Sequence, residues 1–222
     1  MCSKEKKSIS YRLLNVDDLP SVVSLIKKEF ITREPMCSTL NFTDEHVDLM
    51  ADVRLRAILE DNISIGAFED ETDLLVAIRL SLLGRNEKEV DYTSKANVPI
   101  PLVQLGALVK YLFGGSKADC LGTKDYAYFV ILCTRPEYGG EGIATELYRR
   151  SHIIASEAGC KKSAVIASSY YTQRIIKKYQ YDFVKTVEYE NYVDPVTGNK
   201  VFSEVPSPHV TIALGVKTLG ET

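Results

Sequence analysis

The chain has 222 residues, 45% of them hydrophobic and 26% charged, which suits one large domain with its own core and leaves no stretch with a disordered composition. Its 27 basic and 30 acidic residues give a formal net charge of -3, so no overall positive field exists to hold nucleic acid or an anionic membrane. Five widely spaced cysteines form no disulfide framework, and the polar N-terminus has no apolar signal core; a monomer in the reducing cytoplasm is expected.

Taken in chain order, Ile9 to Leu14 reads as a short strand, and Asp17-Asp18 open a helix carrying Leu19, Val22, Val23, Ile26 and Phe30. Thr43 to His46 resembles the cap of a second helix that Asp61-Asn62 ends. Ile63 to Phe68 and Leu74 to Leu83 read as a hairpin with an acidic tip. The apolar run Val98 to Phe113 is interrupted by Pro99, Pro101, Gln104 and Lys110 and is shorter than the ~20 residues of a membrane span, so it reads as a buried helix closed by Gly114-Gly115. Tyr126 to Cys133 is almost continuously apolar, as a central strand covered on both faces requires. A loop of three glycines, Gly139, Gly140 and Gly142, leads from it into a helix from Ile143 through Ala158. Ala164 to Ala167, Phe183 to Tyr189 and Val210 to Leu214 complete the strands, with a short helix from Thr172 to Tyr179 and a turn at 194–199. Strands and helices alternate without repeat or linker, which predicts one α/β (α+β) layer structure over residues 1–222.

Closely spaced glycines between a buried strand and a helix let backbone N–H groups converge at the positive end of the helix dipole, a site for phosphate. The same glycines are also compatible with a tight turn alone. Gly142 is followed by Ile143-Ala144 where a mononucleotide loop would have Lys and Ser or Thr, so triphosphate hydrolysis is disfavoured. A dinucleotide loop lacks its third glycine and its ribose-binding acid. His46, His152 and His209 show no ligand spacing, so no metal is expected.

Gly142-Ile143-Ala144 after an apolar strand resembles the pyrophosphate loop of the GNAT N-acetyltransferases. Glu29-Phe30-Ile31-Thr32-Arg33-Glu34-Pro35-Met36 and Ser207-Pro208-His209 resemble two motifs of the insect arylalkylamine N-acetyltransferase branch, and the resemblance spans nearly the whole chain. It implies a single GNAT domain, a mixed central sheet with splayed middle strands flanked by helices. It further implies acetyl-CoA as the acyl donor, its pantetheine arm between those strands near Leu132, Cys133 and Thr134. Arg135, Tyr138, Gly139, Gly140, Gly142, Ile143 and Ala144 would then hold the rest of the coenzyme. The acceptor implied is a small primary amine: serotonin, dopamine, tyramine, agmatine or a polyamine. A non-catalytic acyl-CoA-binding module and a protein lysine acetyltransferase remain as alternatives. Two positions depart from the superfamily pattern: Gly139 stands where a Gln or Arg is usual, and Ile176 where many members carry a tyrosine acid.

An amine is protonated at neutral pH, so its attack on a thioester needs a proton acceptor. Glu34 fills that role by the motif, and Pro35 disfavours helix at Glu34, placing the carboxylate at the mouth of a loop. Ser168 and Thr172 resemble the hydroxyl pair near the acetyl donor, although Ser168 or Ser169 reads equally as a helix cap. Pro35, Tyr170 and Tyr171 are candidate walls of the amine pocket, and His209 a candidate relay. A backbone N–H near Cys133 is expected to stabilise the developing oxyanion. Cys133 itself lies in an apolar strand with no histidine beside it, so direct transfer is favoured over an acyl-cysteine.

Overall fold

A computed structural model describes residues 7–87 and 98–220; the polar N-terminal stretch with Cys2 and Lys6 lies outside the described residues. Strands β1 (Ile9–Leu13), β2 (Ile65–Glu69), β3 (Leu74–Leu83), β4 (Tyr126–Thr134), β5 (Lys162–Ala167), β6 (Asp182–Glu188) and β7 (Thr211–Thr218) form one sheet in the order β1-β2-β3-β4-β5-β7-β6. All neighbours run antiparallel except β4 and β5. A parallel pair needs a crossover, and α7 (Ile143–Glu157) supplies it.

The expected hairpin is β2–β3, and the near-continuous apolar run is the sheet's central strand, β4. Before the hairpin lie α1 (Leu19–Leu25), α2 (Pro35–Thr39), α3 (Asp44–Met50) and α4 (Arg56–Glu60). Two π-helical segments interrupt this region, Ile26–Phe30 after α1 and Ala51–Leu55 between α3 and α4. In the first, the Ile31 N–H reaches back five residues to the Ile26 carbonyl at 3.1 Å. Thr43 starts α3 as the sequence suggests, its N–H donating to His46 Nδ1 at 2.9 Å. The apolar run beyond residue 98 is α5 (Ile100–Phe113), closed by left-handed Gly114; α6 (Lys117–Leu121) and α8 (Tyr170–Lys178) follow.

The sheet has helices on both faces. Tyr128, Ile131 and Cys133 of β4, with Ile78 and Leu80 of β3, join the largest apolar cluster together with residues of α1 to α5. Phe129 of β4 and Val165 of β5 face the other way, packing with Tyr148 and Ala155 of α7 and Ile176 of α8. Ala67, Val76 and Ala77 extend that second face beneath Ile143 and Leu147 at the start of α7. Alternation along a strand explains the division, since successive side chains point to opposite faces.

β4 and β5 pair only from Tyr126↔Lys162 to Phe129↔Val165. Beyond that point β4 continues to Thr134 and β5 to Ala167 without pairing to each other. On its other edge β4 carries a bulge: Leu80 faces Ile131 and Ser81 faces Phe129, which leaves Val130 without an opposite residue on β3. A bulge bends and twists its strand, and this one falls where the two strands part. The splayed middle strands implied by the resemblance are therefore present. Among the described residues, no helix is long and apolar enough to cross a membrane.

Candidate active site

The split between β4 and β5 opens into a cleft of about 850 Å³ whose walls come from both faces of the sheet. Leu132, Cys133 and Thr134 line it, as do Val165 and Ile166 across the split. Among the described residues, the β5-side backbone edge of residues 130–134 has no strand partner. An extended chain with amide groups laid there finds the hydrogen-bonding groups that a neighbouring strand would have used.

At the outer end of β4 the chain turns through Pro136–Tyr138 into the glycine loop. Gly140 and Gly142 have φ of +80° and +82°, left-handed conformations that side chains with a Cβ rarely adopt. Gly142 is the N-cap of α7 and uses no side chain to satisfy the first turn. The first intrahelical bond runs from the Glu146 N–H to the Gly142 carbonyl at 3.0 Å, so the amides of Gly140 to Thr145 reach no acceptor in the described chain. These unused donors meet the positive end of a 15-residue helix. Gly139, Gly140 and Ala144 line the cleft, whereas Ile143 is buried in the core beneath the loop. Tyr138 also turns inward: it is 3% exposed and its hydroxyl donates to Glu69 Oε1 at 2.8 Å.

Two arginines flank the loop side of the cleft. Arg135 donates from Nε to the Leu75 carbonyl at 3.1 Å and lies 3.7 Å from Glu29. Arg33, to which the sequence reading gave no role, donates from Nη2 to the Thr134 carbonyl at 2.9 Å and lies 3.4 Å from Glu29. The first contact ties the segment carrying Glu34 to the end of β4.

Glu34 is 8% exposed and is the N-cap of α2, with φ -72° and ψ 126°. Proline at the first helical position fixes this arrangement, because the residue before proline avoids helical angles while proline itself starts a helix well. Glu34 Oε2 accepts the Cys37 N–H at 2.7 Å; Oε1 is buried in the cleft wall without a hydrogen-bond partner among the described residues. Around it stand Cys37, whose thiol is raised well above its ordinary value by burial and then by the Glu34 charge, and Tyr189, whose phenol is raised for the same two reasons. The Tyr189 hydroxyl donates to the Ser168 carbonyl at 2.7 Å.

Ser169, not Ser168, caps α8: its side chain accepts the Thr172 N–H at 3.1 Å and donates to Thr172 Oγ1 at 2.9 Å. The Ser168 hydroxyl is thereby left without a protein partner in the described chain, and Ser168 and Thr172 both line the cleft. His209 Nδ1 accepts the Tyr170 N–H at 3.1 Å, which leaves Nε2 to carry the proton of the neutral ring. Burial lowers its pKa from the ordinary value while the nearby Glu34 carboxylate works against that shift. Tyr171 lines the cleft and meets the His209 ring edge-on at 5.8 Å; Tyr170 is 44% exposed and lies outside the lining. Pro35 lines the cleft beside Glu34.

Cys133 is buried and its thiol is pushed up to about 12, chiefly by desolvation, so no thiolate is present near neutral pH. Ile176 is fully buried in the core rather than in the cleft, which Ile175 lines together with Tyr171 and Thr172 of α8. Sequence reasoning also passed over Arg79, a cleft residue inside an apolar strand; a lone charge in the run Leu74 to Leu83 was the available signal.

No protein-family model matches the chain, and a search of curated proteins finds no match. Solved structures do match over almost the full length. Arylalkylamine N-acetyltransferase 2 from Aedes aegypti superposes with a TM-score of 0.83 at 19% identity, covering 96% of this chain and 100% of that one. The C-terminal condensation domain of Ebony, solved with beta-alanyl-dopamine, gives 0.80 at 18% identity over 96% and 100%. The polyamine N-acetyltransferase of Drosophila melanogaster, which forms N-acetylagmatine, gives 0.75 at 16% identity over 96% and 100%. With its split central strands, glycine-opened helix and this breadth of superposition, the chain has the fold of the GNAT acetyltransferases.

Proposed function

We propose that the protein is an N-acetyltransferase that moves an acetyl group from acetyl-CoA to a small primary amine. The observation that carries this reading is the pairing, in one cleft, of a row of unused amides at a helix N-terminus with a buried carboxylate whose Oε1 has no partner. The residues present fit the coenzyme. The amides of Gly140 to Thr145 suit its diphosphate, Arg33 and Arg135 add positive charge beside them, and the free edge of β4 suits its amide-bearing arm. When bound, the coenzyme supplies a thioester, an activated acyl group.

Glu34 is the base. Its Oε2 is fixed by the Cys37 N–H, and its Oε1 is free to take a proton from the acceptor nitrogen. The carboxylate also draws a cationic amine toward its part of the cleft. His209, its pKa lowered by burial and close enough to sense Glu34, holds Nδ1 on the Tyr170 N–H and presents its Nε2–H as a donor at the amine end. Ser168 and Thr172 offer hydroxyls at the acyl end, and Phe30, Met36, Leu102 and Tyr171 exclude water.

The neighbours support an amine as acceptor. One is titled an arylalkylamine acetyltransferase, another forms N-acetylagmatine, and a third was solved with an amide of dopamine. The test is thiol release from acetyl-CoA across tyramine, dopamine, serotonin, agmatine and spermidine, with a lysine peptide in parallel. Amine-dependent release with at least one small amine is expected. Coenzyme binding without release from any acceptor would instead favour a non-catalytic acyl-CoA-binding module.

A further inference from the structure

Arg79 lies in the middle of β3 and is 1% exposed. Its guanidinium rests between two rings, 4.6 Å from the centroid of Phe129 and 4.1 Å from that of Tyr148. No carboxylate of the described residues comes within ion-pair distance of it, and its Nε and Nη2 are buried without hydrogen-bond partners. An arginine does not escape such a situation by losing its proton, so the fold keeps a full positive charge with free donors in its interior. The aromatic faces account for part of its stabilisation, while Nε and Nη2 keep donors that no described residue accepts.

The surroundings leave this charge unquenched. The titratable groups that face it are Tyr148 and His152 of α7, Tyr128 of β4 and Tyr181 before β6. The three phenols are held protonated by burial. His152 is pushed down to about 4 by burial and then by Arg79 itself, so it is neutral at physiological pH.

Its position is specific. Phe129, on whose ring the guanidinium lies, is the last residue of β4 that pairs with β5, so the charge sits at the apex of the split and lines the cleft. It is on the α7 face, while Glu34 belongs with Cys37 and Tyr189 to the opposite face. In the helix after β5, Ile176 is in the core and the Tyr179 hydroxyl donates to the Thr145 carbonyl at 2.8 Å; the phenol of α8 that lines the cleft is Tyr171, packed against His209.

We propose that Arg79 is a catalytic residue that holds the negative charge on sulfur as the thioester breaks, an inference that rests on the acetyltransferase reading above. Glu34 first takes the ammonium proton and releases it to solvent; the freed amine lone pair then forms the C–N bond to the carbonyl carbon, and Glu34 takes the second proton that the nitrogen gives up. The adduct then collapses, and the C–S bonding pair goes to sulfur. The thiolate leaves paired with the guanidinium and takes its proton from solvent afterwards. Arg79 supplies charge and hydrogen-bond donors and no proton, which removes the need for an acid at the Ile176 position.

The test does not depend on the amine. Coenzyme A is bound to the wild type, to Arg79→Met and to Arg79→Lys, and the ultraviolet absorbance of its thiolate is followed against pH while calorimetry records affinity. A free thiol of this type titrates near ~8.5. In the wild-type complex the midpoint is expected at least about one pH unit lower, a tenfold stabilisation of the thiolate. Arg79→Met is expected to return it to the free value with affinity changed by less than about threefold, and to lose ~10²-fold or more in turnover. Arg79→Lys, which keeps the charge, is expected to recover part of both. A midpoint unshifted in the wild-type complex overturns the proposal even if Arg79→Met fails to fold, as does an equal shift in wild type and Arg79→Met. Failure of coenzyme A to bind the wild type overturns the acetyltransferase reading instead, and the proposal with it.

Discussion

Glu34 and Arg79 line one cleft from opposite faces of the sheet, the carboxylate packed with Cys37 and Tyr189 and the guanidinium with Phe129 and Tyr148. The gap between β4 and β5 is the passage that joins those faces. A reaction centred in that gap meets negative charge on the side where a proton must be removed and positive charge on the side where an anion departs. Neither group is neutralised by a salt bridge within the described residues, so the field across the gap is retained.

The loop geometry gives the first prediction. Gly140 and Gly142 occupy left-handed conformations with open space where a side chain would go, so the obstacle to substitution is backbone strain rather than collision. Gly142→Val is expected to cost about 1–2 kcal/mol, a Tm loss of about 2–4 °C for each kcal/mol. Coenzyme affinity should fall by ~10-fold or more, because relaxing the strain rotates the amides away from the anion. Thermal unfolding and calorimetry check the two effects separately.

His152 gives a stability prediction with a defined pH window. Its Nε2 lies 2.8 Å from the Tyr181 hydroxyl, and its folded pKa is lowered from 6.5 to about 4, first by burial and then by the charges of Arg79 and Lys217. Between those values the unfolded chain binds a proton that the folded chain refuses. The contribution is therefore fully present above pH 6.5 and is lost as pH falls toward 4. It amounts to roughly 3 kcal/mol. His152→Gln, which can still bond Tyr181, should flatten the fall in denaturant midpoint over this range.

The acid limb has a second source. Glu69 is held at about 2 by hydrogen bonds from Lys7, Thr72 and Tyr138 in that order, with Lys7 Nζ at 2.7 Å. A depressed carboxyl stabilises the fold above its ordinary value and loses that effect as pH falls through about 2. Glu69→Gln should therefore be less stable than the wild type at pH 6 and converge with it only as pH falls to about 2. Because the Tyr138 hydroxyl donates to Glu69, the same substitution should loosen the glycine loop and weaken coenzyme binding modestly.

Much of the fold was legible in the sequence because its signals are local. The apolar run of β4, the glycines before α7 and the acidic hairpin tip each announce their element without help from distant residues. The insertion of β7 between β5 and β6 carries no local mark, since it is decided by which edge the last strand can reach. Helix α2, only five residues long, was hidden by the proline that starts it, and its cap proved to be the proposed base. At the site, Glu34, Pro35, Ser168, Thr172 and His209 were singled out and all line the cleft, while Tyr138 and Ile143 face the core and Tyr170 faces solvent. Arg33 and Arg79 were passed over because their significance lies in contacts with β4, about a hundred and about fifty residues away, respectively.

The most direct test of the reading as a whole is the turnover number of Glu34→Gln with acetyl-CoA and the preferred amine, set against its affinity for the coenzyme. Glutamine keeps an oxygen to accept the Cys37 N–H, so α2 remains capped while the proton acceptor is gone. Turnover at pH 7 should fall ~10²–10⁴-fold with coenzyme affinity unchanged. Wild-type turnover in the variant, or absence of coenzyme uptake by either protein, would contradict it.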